Sequence, residues 1–237
     1  MKVLIAGGSG GIGCALVQSI LDEMPGTEIH ATFHNTSPEK ELQSLPVEWH
    51  KLDLTCAESV EGLSRQIGSL DWIVNTVGML HTDEHLPEKS ITQLEPAFFS
   101  RTVEVNVLPT LLLAGCFQNN LKSSDSARFV SISARVGSIG DNRLGGWYSY
   151  RASKAALNMV LKTLSNEWKR KLPNCCVAAL HPGTVATHLS EPFQKNVPAE
   201  KLFSAQYSAE QLIGVIRDLT AERSGQFLAY DGTPIPW

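Results

Sequence analysis

A glycine-rich run at the start of the chain constrains its fold more than any other feature of the sequence. Gly7-Gly8-Ser9-Gly10-Gly11-Ile12-Gly13 follows directly on a short apolar segment and precedes apolar residues at helical spacing. Glycine permits positive φ and lets the backbone approach a phosphate closely, and the N-terminus of the next helix offers free N–H groups to an anion. The run therefore predicts a strand, a turn and a helix that hold the pyrophosphate of a dinucleotide through Gly7, Ser9, Gly11, Ile12 and Gly13. The alternative is a tight turn that binds no ligand.

Apolar segments of strand length and of helix length alternate along the chain. Strands are predicted over residues 2–6, 28–33, 47–52, 71–75, 128–133, 175–180 and 226–230. Helices are predicted over residues 12–24, 39–45, 57–67, 96–120, 148–172 and 209–219. Such alternation is typical of an α/β fold with a parallel sheet covered on both faces. We therefore expect a doubly wound Rossmann sheet of seven strands, forming one domain over residues 1–237, with its ligand at the carboxyl ends of the strands.

Composition limits the classes of function. Of the 237 residues 43% are hydrophobic, and the net charge is −4 with no basic block, so we expect a sizeable core and no nucleic-acid partner. The longest apolar stretch, 107–116, contains Pro109 and is too short to span a bilayer, and the N-terminus does not resemble a signal peptide, so no membrane association is expected. Five scattered cysteines, without a C-x-x-C pair or zinc-type spacing, indicate a reduced, cytoplasmic protein and no metal site. Cys175 and Cys176 are expected on opposite faces of one strand.

The end of the second predicted strand indicates which dinucleotide binds. An acidic residue there would accept hydrogen bonds from the ribose of NAD, but the segment reads Ala31-Thr32-Phe33-His34-Asn35 and the next carboxylate is Glu39. His34 and Ser9 are placed to face a 2′-phosphate instead, which favours NADP(H), with NAD(H) as the alternative. Asp53 and Leu54 follow the third strand, where a carboxylate can meet the adenine amino group. The alternative for Asp53 is an N-cap of the following helix.

Tyr150 and Lys154 are the candidate chemical centre. They stand four residues apart in a predicted helix and so share one of its faces. A neighbouring ammonium favours the phenolate and lowers the pKa of a phenol, which can then exchange a proton with a carbonyl or alcohol oxygen. Tyr148 lies off that face and is assigned to packing or to the substrate wall.

Four motifs in this order resemble the short-chain dehydrogenase/reductase family, of the classical type. They are the glycine run, Asn75-Thr76-Val77-Gly78, Tyr150 with Lys154, and His181-Pro182-Gly183-Thr184-Val185-Ala186-Thr187. Tyr-Ser-Tyr-Arg-Ala-Ser-Lys and the segment from Ser224 to Trp237 look most like sniffer-type carbonyl reductases and C-factor-like members.

The resemblance implies a role for individual residues. It makes Tyr150 the acid/base, and it makes Lys154 the group that binds the nicotinamide ribose and depresses the tyrosine pKa. It places a relay water on Asn106 and has Asn75 support the sheet beside the cofactor. Gly183 and Thr187 would border the nicotinamide. The remaining motif residues that it assigns to the cofactor are Val77, Gly78, Pro182 and Val185.

Pro109 gives Asn106 independent support. A proline in mid-helix cannot donate to the carbonyl of Val105 and should kink the helix there, which frees carbonyls for water. The alternative is a surface asparagine in a helix kinked for packing.

The family's serine departs from its pattern. The family has serine, two residues and then glycine, whereas this chain reads Ser133-Ala134-Arg135-Val136-Gly137, with Ala134 at the serine position. A one-residue slip in a strand turns a side chain to the other face. A local bulge that restores Ser133 is the preferred interpretation. The alternatives are that Ser138 substitutes or that the serine is absent.

Three functions remain in competition. An NADP(H)-dependent reductase or dehydrogenase of a small carbonyl or alcohol leads. A nucleotide-binding sensor that catalyses little is second, motivated by the C-factor resemblance and the displaced serine. A nucleotide-sugar epimerase is third, because the chain is short for the extra substrate domain.

The substrate wall and the assembly follow from loops and helix faces. Segments 77–85, 134–147 and 188–197 are expected to build the pocket, and Leu144, Trp147, Leu189 and Phe193 suggest a hydrophobic ketone, aldehyde or quinone.

Apolar residues 111–113 and the alanines at 152, 155 and 156 resemble the family's interface helices, so a homo-oligomer, dimer or tetramer, is expected. The alternative is that both faces pack on the sheet.

Overall fold

Seven parallel strands form one sheet in the computed structural model, which describes residues 1–237 apart from the side chain of Asn196. The strands along the chain are β1 (Lys2–Ala6), β2 (Glu28–Phe33), β3 (Val47–Lys51), β4 (Trp72–Asn75), β5 (Ala127–Ile132), β6 (Cys175–His181), β7 (Thr184–Val185), β8 (Leu202–Phe203) and β9 (Gln226–Ala229). The helices are α1 (Gly11–Glu23), α2 (Lys40–Gln43), α3 (Ala57–Gln66), α4 (Pro96–Leu121), α5 (Tyr148–Lys171) and α6 (Ala205–Arg217).

The order of the strands in the sheet is β3-β2-β1-β4-β5-β6-β9, with every neighbouring pair parallel. The order reverses between β1 and β4, and a crevice opens at the carboxyl ends of strands at such a point. The predicted doubly wound, seven-stranded Rossmann sheet is therefore confirmed. The two-residue strands β7 and β8 form a separate small parallel sheet that was not predicted.

Both faces of the sheet are buried, which explains the nearly continuous apolar strands. Leu4 of β1 packs with α3, α4 and α5 on one face, and its neighbour Ile5 packs with α1 and α6 on the other. Cys175 joins the first cluster and Cys176 the second, so their expected placement on opposite faces is confirmed. All five cysteines are free thiols.

Helix α4 is longer than the apolar stretch 107–116 that it contains. By length and composition alone it is a helix that can cross a membrane, since its 18-residue window has a mean hydropathy of 1.2. Of that window 44% is buried, and core helices of soluble proteins pass the same test. In this fold α4 lies against α3 and α5 and contributes Leu113 and Phe117 to the core.

The segment between β6 and α6, for which no strand or helix was predicted before residue 209, contains short regular elements. It contains β7, the 3₁₀ turns Glu191–Asn196 and Ala199–Lys201, and β8. Helix α6 begins at Ala205 rather than near 209, because the Ser204 hydroxyl accepts a hydrogen bond from the N–H of Tyr207 at 3.1 Å and so caps the helix.

Candidate active site

The glycine-rich run forms the turn between β1 and α1. Gly7 has a φ of +79°, and its N–H donates to the Thr32 hydroxyl at 3.0 Å. A methyl group on Gly13 would lie 2.2 Å from the Gly7 carbonyl oxygen, so the start of α1 passes too close to the strand end for any side chain. Gly10, at the N-cap, carries no side chain to occupy the first-turn N–H groups, which leaves them to an anion. Ser9 and Ile12 are half-buried beside them.

The end of β4 forms the other wall of the crevice. The Thr76 hydroxyl donates to the Gly7 carbonyl at 3.0 Å and so ties this wall to the glycine turn. Asn75 is buried, donates to the Thr110 hydroxyl at 2.9 Å and accepts from the N–H of Val77 at 3.0 Å. Asn75 thus fixes the path of the chain beside the crevice, as its predicted supporting role requires.

Tyr150 and Lys154 lie on one face of α5 and are 7% and 3% exposed. The Lys154 ammonium is 5.8 Å from the centre of the Tyr150 ring and donates to the Ile132 carbonyl at 3.0 Å, at the end of β5. A methyl group on Gly78 would lie 3.3 Å from Lys154 Nζ. The pair therefore stands at the carboxyl edge of the sheet, next to the segment that follows β4.

Burial governs the titration of both groups. It raises the pKa of the Tyr150 phenol above its ordinary value, because the phenolate would lose its hydration. This direction is opposite to the lowering expected from the ammonium. Burial also lowers the pKa of Lys154 to about 8. At neutral pH the phenol holds its proton and the amine is mostly charged.

Asn106 is buried, so the alternative of a surface asparagine is wrong. Its Oδ1 accepts from the N–H of Met79 at 2.6 Å, and its Nδ2 donates to the Met79 carbonyl at 2.9 Å and to the Ser153 hydroxyl at 2.8 Å. The side chain thus clamps the 77–85 segment to α5, one residue before Lys154. Pro109 lies inside α4, one turn further along.

The two candidate serines have different partners. Ser133 is buried, and its hydroxyl donates to Oδ1 of Asn158 on α5 at 2.6 Å. Ser138 accepts from the N–H of Asp141 at 3.1 Å, and its hydroxyl donates to the Pro236 carbonyl near the end of the chain. Each hydroxyl is thus engaged within the protein.

The start of α5 is held by a residue that the sequence did not single out. Glu88 is buried, and its carboxylate accepts from the N–H of Ser149 at 3.1 Å and from the Ser149 hydroxyl. Gly145, Gly146 and Trp147 all have positive φ, of 65°, 66° and 54°. This left-handed stretch turns the chain into α5 and sets where Tyr150 enters the site.

The segment after β6 closes over the glycine turn. A methyl group on Gly11 would lie 2.6 Å from Cγ2 of Thr187, so these predicted cofactor residues are neighbours. Gly183 has a φ of +82° and packs under the ring of Phe203, and the Pro182 carbonyl accepts from the Ser208 hydroxyl at 2.8 Å. Val185 is buried in β7.

His34 and Asp53 lie together at the carboxyl ends of β2 and β3. Their side chains are 51% and 40% exposed, and His34 Nε2 is 3.9 Å from an Asp53 oxygen. Hydrogen bonds from Thr55 lower the pKa of Asp53. The N-cap of α3 is Cys56 rather than Asp53, so the capping alternative for Asp53 is wrong. Leu54 is buried.

The three predicted pocket segments meet above Tyr150 in an aromatic cluster. The ring of Trp147 is 6.3 Å from Tyr150 and 5.0 Å from Phe193, between ring centres. His81 lies 6.0 Å from Phe193. Leu189 is half-buried, but Leu144 is 92% exposed and is not part of this wall.

Several residues of the site were missed because their signal is tertiary. Thr32, Met79, Glu88 and Ser153 act through contacts with residues far away in the sequence, and a lone Thr or Glu between strands has no local pattern. A separate cluster outside this site, formed by His30, Glu48 and His50, was missed for the same reason, although alternate residues on paired strands could have indicated it.

Sequence comparison places the chain among dehydrogenases. A profile of the short chain dehydrogenase family matches residues 1–198. The 1-hydroxy-2-glutathionyl-2-methyl-3-butene dehydrogenase of Rhodococcus sp. (strain AD45) is 32% identical over 240 residues, which cover 99% of each protein. C-signal of Myxococcus xanthus is 31% identical over 148 residues, which are 62% of this chain and 84% of that protein.

Solved structures give the same result. Carbonyl reductase Sniffer of D. melanogaster superimposes with a TM-score of 0.87 at 26% identity, covering 100% of this chain and 99% of that one. The NADPH-bound carbonyl reductase from chicken fatty liver has a TM-score of 0.87 at 26% identity, covering 100% and 94%. These matches confirm the predicted resemblance.

Proposed function

Because the chain belongs to the short-chain dehydrogenase family, we propose that it is an NADP(H)-dependent oxidoreductase of a small carbonyl or alcohol substrate, with Tyr150 as general acid and base. When bound, the cofactor supplies or accepts the hydride at its nicotinamide ring. The chain itself binds and orients both molecules, excludes water and moves the proton.

One observation carries this proposal: Tyr150 and Lys154 are both buried on one face of α5, at the carboxyl edge of the sheet. Because burial raises the pKa of Tyr150, the phenol holds a proton that it can donate to a carbonyl oxygen. The Lys154 ammonium, 5.8 Å from the ring, stabilises the phenolate that remains. The same pair accepts a proton from an alcohol in the reverse direction.

The glycine turn fits a dinucleotide. The close approach at Gly13 and the uncapped start of α1 leave backbone N–H groups for a pyrophosphate. His34 and Ser9 are proposed to hold the 2′-phosphate of NADP(H), and NAD(H) is the alternative. Asp53 and Leu54 are proposed to border the adenine. Toward the nicotinamide, the proposed residues are Asn75, Val77, Gly78, Pro182, Gly183, Val185 and Thr187.

The substrate is proposed to be a hydrophobic aldehyde, ketone or quinone. The ring of Trp147 lies between those of Tyr150 and Phe193, edge-on to the first and tilted against the second, so the surface next to the phenol is aromatic. Tyr150 itself is only 7% exposed. The chicken carbonyl reductase, similar over the whole chain, supports a carbonyl substrate and NADPH.

Asn106 and Ser133 are proposed to act near the phenol in different ways. Asn106 positions Lys154 through its hydrogen bonds to Ser153 and to the Met79 backbone. A relay water is also proposed to bind at Asn106 in α4. Ser133 is proposed as a positioning residue, because its hydroxyl already donates a hydrogen bond to Asn158. Tyr150 then polarises the carbonyl without a second hydroxyl.

The test is NADPH oxidation, followed by absorbance, with aromatic aldehydes, diketones and quinones. We expect turnover by the wild type, loss of at least about a thousandfold in Tyr150→Phe, and unchanged NADPH binding in that variant. Tyr148→Phe is the matched control, since Tyr148 is exposed on the same helix turn, and it should retain turnover.

The opposite outcome favours a second function. C-signal of Myxococcus xanthus is a relative at 31% identity, and the family's serine is displaced here, with Ala134 at its position. Tight NADPH binding with no turnover on any substrate would support a nucleotide-binding sensor and sink the reductase proposal. Equal turnover in Tyr150→Phe would sink the assignment of Tyr150.

A single-domain, cytoplasmic homo-oligomer remains the proposed form of the protein. Leu111 on α4 and Met159 on α5 are 47% and 66% exposed, so these helices present apolar side chains outward, whereas Leu113 packs on the sheet. Light scattering on the eluting protein measures its mass, and Leu111→Glu with Met159→Glu should convert an oligomer to a monomer.

A further inference from the structure

A cluster of imidazoles and carboxylates lies at the edge of the sheet, outside the site described above. His30 of β2 is the register partner of Glu48 of β3, and His50 follows Glu48 by two residues. Because alternate residues of a strand share a face, the three side chains lie on the same face of the sheet. Leu4 is the register partner of His30 on β1, so this is the face that α3 to α5 cover further along.

The candidate ligand atoms have the spacing of a tetrahedral metal site. His30 Nδ1 lies 3.0 Å from His50 Nε2 and 3.4 Å from Glu48 Oε2, and His50 Nε2 lies 3.7 Å from Glu48 Oε1. Atoms bound to zinc at about 2.0–2.2 Å in tetrahedral geometry lie about 3.3–3.6 Å apart. Each of the two nitrogens thus lies within 3.7 Å of one Glu48 oxygen, and all the ligand atoms lie within 4.8 Å of one another, so small side-chain shifts bring the three residues onto one ion.

The second nitrogen of His30 has the partner that metal-binding histidines usually have. His30 Nε2 lies 3.1 Å from Glu28 Oε1, and Lys2 holds that carboxylate at 2.8 Å. A proton on Nε2, donated to Glu28, leaves the lone pair of Nδ1 directed at His50 and Glu48. Such a carboxylate–histidine arrangement fixes the tautomer and raises the basicity of the ligand.

A hydrogen-bonded histidine pair is the alternative without metal. With His30 Nε2 donating to Glu28, a proton on His50 Nε2 can form a hydrogen bond to His30 Nδ1. The Glu48 carboxylate then accepts no hydrogen bond from these two nitrogens. The side chains of His30 and His50 are only 5% and 13% exposed, so an ion between them would be largely shielded from water. Glu48, 65% exposed, leaves the fourth position open to water.

We propose that His30, His50 and Glu48 bind one Zn²⁺ ion, with Glu28 as the partner that orients His30. Two imidazole nitrogens and one carboxylate oxygen are a ligand set that zinc accepts, with water as the fourth ligand. The bound ion ties the edge strand β3 to β2. His50 is the register partner of Thr32, whose hydroxyl accepts a hydrogen bond from the Gly7 N–H, so the proposed zinc site lies beside the glycine turn.

The test is calorimetric titration of chelator-treated, full-length protein with ZnCl₂. We expect about one Zn²⁺ per chain in the wild type and at least tenfold weaker binding in Glu48→Gln and His50→Gln. His85→Gln is the matched control, since His85 also pairs with a glutamate, at 2.9 Å, in an isolated position. It should bind zinc as the wild type does.

A second readout separates zinc binding from folding. Zinc should raise the thermal midpoint of the wild type and of His85→Gln but not that of Glu48→Gln, a largely exposed position whose change leaves the fold intact. Co²⁺ in place of zinc should give the intense visible absorption of a tetrahedral site. Absence of zinc binding by the wild type, or equal binding by Glu48→Gln and His50→Gln, would overturn the proposal.

Discussion

The Ser133 hydroxyl donates a 2.6 Å hydrogen bond to Asn158, which lies about two helical turns beyond Tyr150 on α5. Asn158 in turn donates to the Gly137 carbonyl at 3.3 Å. Ser133 therefore joins the end of β5 to the helix that carries Tyr150. Ala134, at the position where the family has serine, leaves that position without a hydroxyl.

A hydroxyl at position 134 is expected to speed carbonyl reduction. Ala134→Ser adds a donor for the developing charge on the substrate oxygen, and we expect kcat to rise about tenfold, since such donors contribute this much or more. Ala134→Cys, with its weak donor, is the control. Ser133→Ala should lower stability by about 1 kcal/mol and affect kcat far less than Tyr150→Phe. If Ser133→Ala is as inactive as Tyr150→Phe and Ala134→Ser changes nothing, Ser133 is the catalytic hydroxyl.

Alkaline pH is expected to weaken the enzyme through Lys154. Its pKa of about 8 means that the ammonium loses its proton above pH 8, and with it the charge that stabilises the phenolate. The kcat/KM for NADPH reports groups of the free enzyme, so it should fall as pH rises through 8. Lys154→Met should be nearly inactive, and its remaining kcat/KM should not fall as pH rises through 8. Lys169→Met, at an exposed position on the same helix, should keep this alkaline fall in kcat/KM. If kcat/KM of Lys154→Met still falls as pH rises through 8, the titrating group is another residue.

Stability is expected to fall in mild acid because of His181. Burial lowers the pKa of His181 to about 4, and its Nδ1 has no hydrogen-bond partner among the residues that the structure describes. The unfolded chain takes up this proton near its ordinary pKa of about 6.5, so the stability present above pH 6.5 is lost as pH falls toward 4, by about 2 kcal/mol at pH 5.

Urea unfolding between pH 5 and 7 measures the effect. His181→Leu should have a shallower dependence on pH than the wild type, and His188→Leu, whose side chain is 84% exposed, should match the wild type. Parallel curves for the wild type and His181→Leu would show that His181 does not contribute.

A methyl group at Gly13 is expected to disrupt the turn. It would meet the Gly7 carbonyl oxygen at 2.2 Å, whereas a methyl group at Gly10 meets the same atom at 3.4 Å. Gly13→Ala should therefore lose about 1–3 kcal/mol of unfolding free energy and bind NADPH much more weakly, while Gly10→Ala, at the N-cap of α1, should lose less stability. Denaturant unfolding and cofactor titration of both variants are the measurements; equal stabilities would contradict the close approach.

Local patterns were enough to predict the sheet, because buried strands and amphipathic helices differ in period. The glycine turn and the Tyr150–Lys154 spacing are also local, so both could be placed from the sequence. The partners of Ser133 and Ser138 could not, because Asn158 and Pro236 are contacts across the fold. The raised pKa of the Tyr150 phenol was not predicted, because depth of burial is not visible in a four-residue spacing.

The left-handed stretch at Gly145, Gly146 and Trp147 limits how the substrate range of this chain can evolve. Trp147 places its ring against Tyr150 from a backbone conformation that β-branched residues avoid. Exchange for valine or isoleucine would move the start of α5 and the phenol with it. Glycine, asparagine or aspartate keeps the backbone but removes the ring, so the pocket can widen at this position more readily than it can be reshaped.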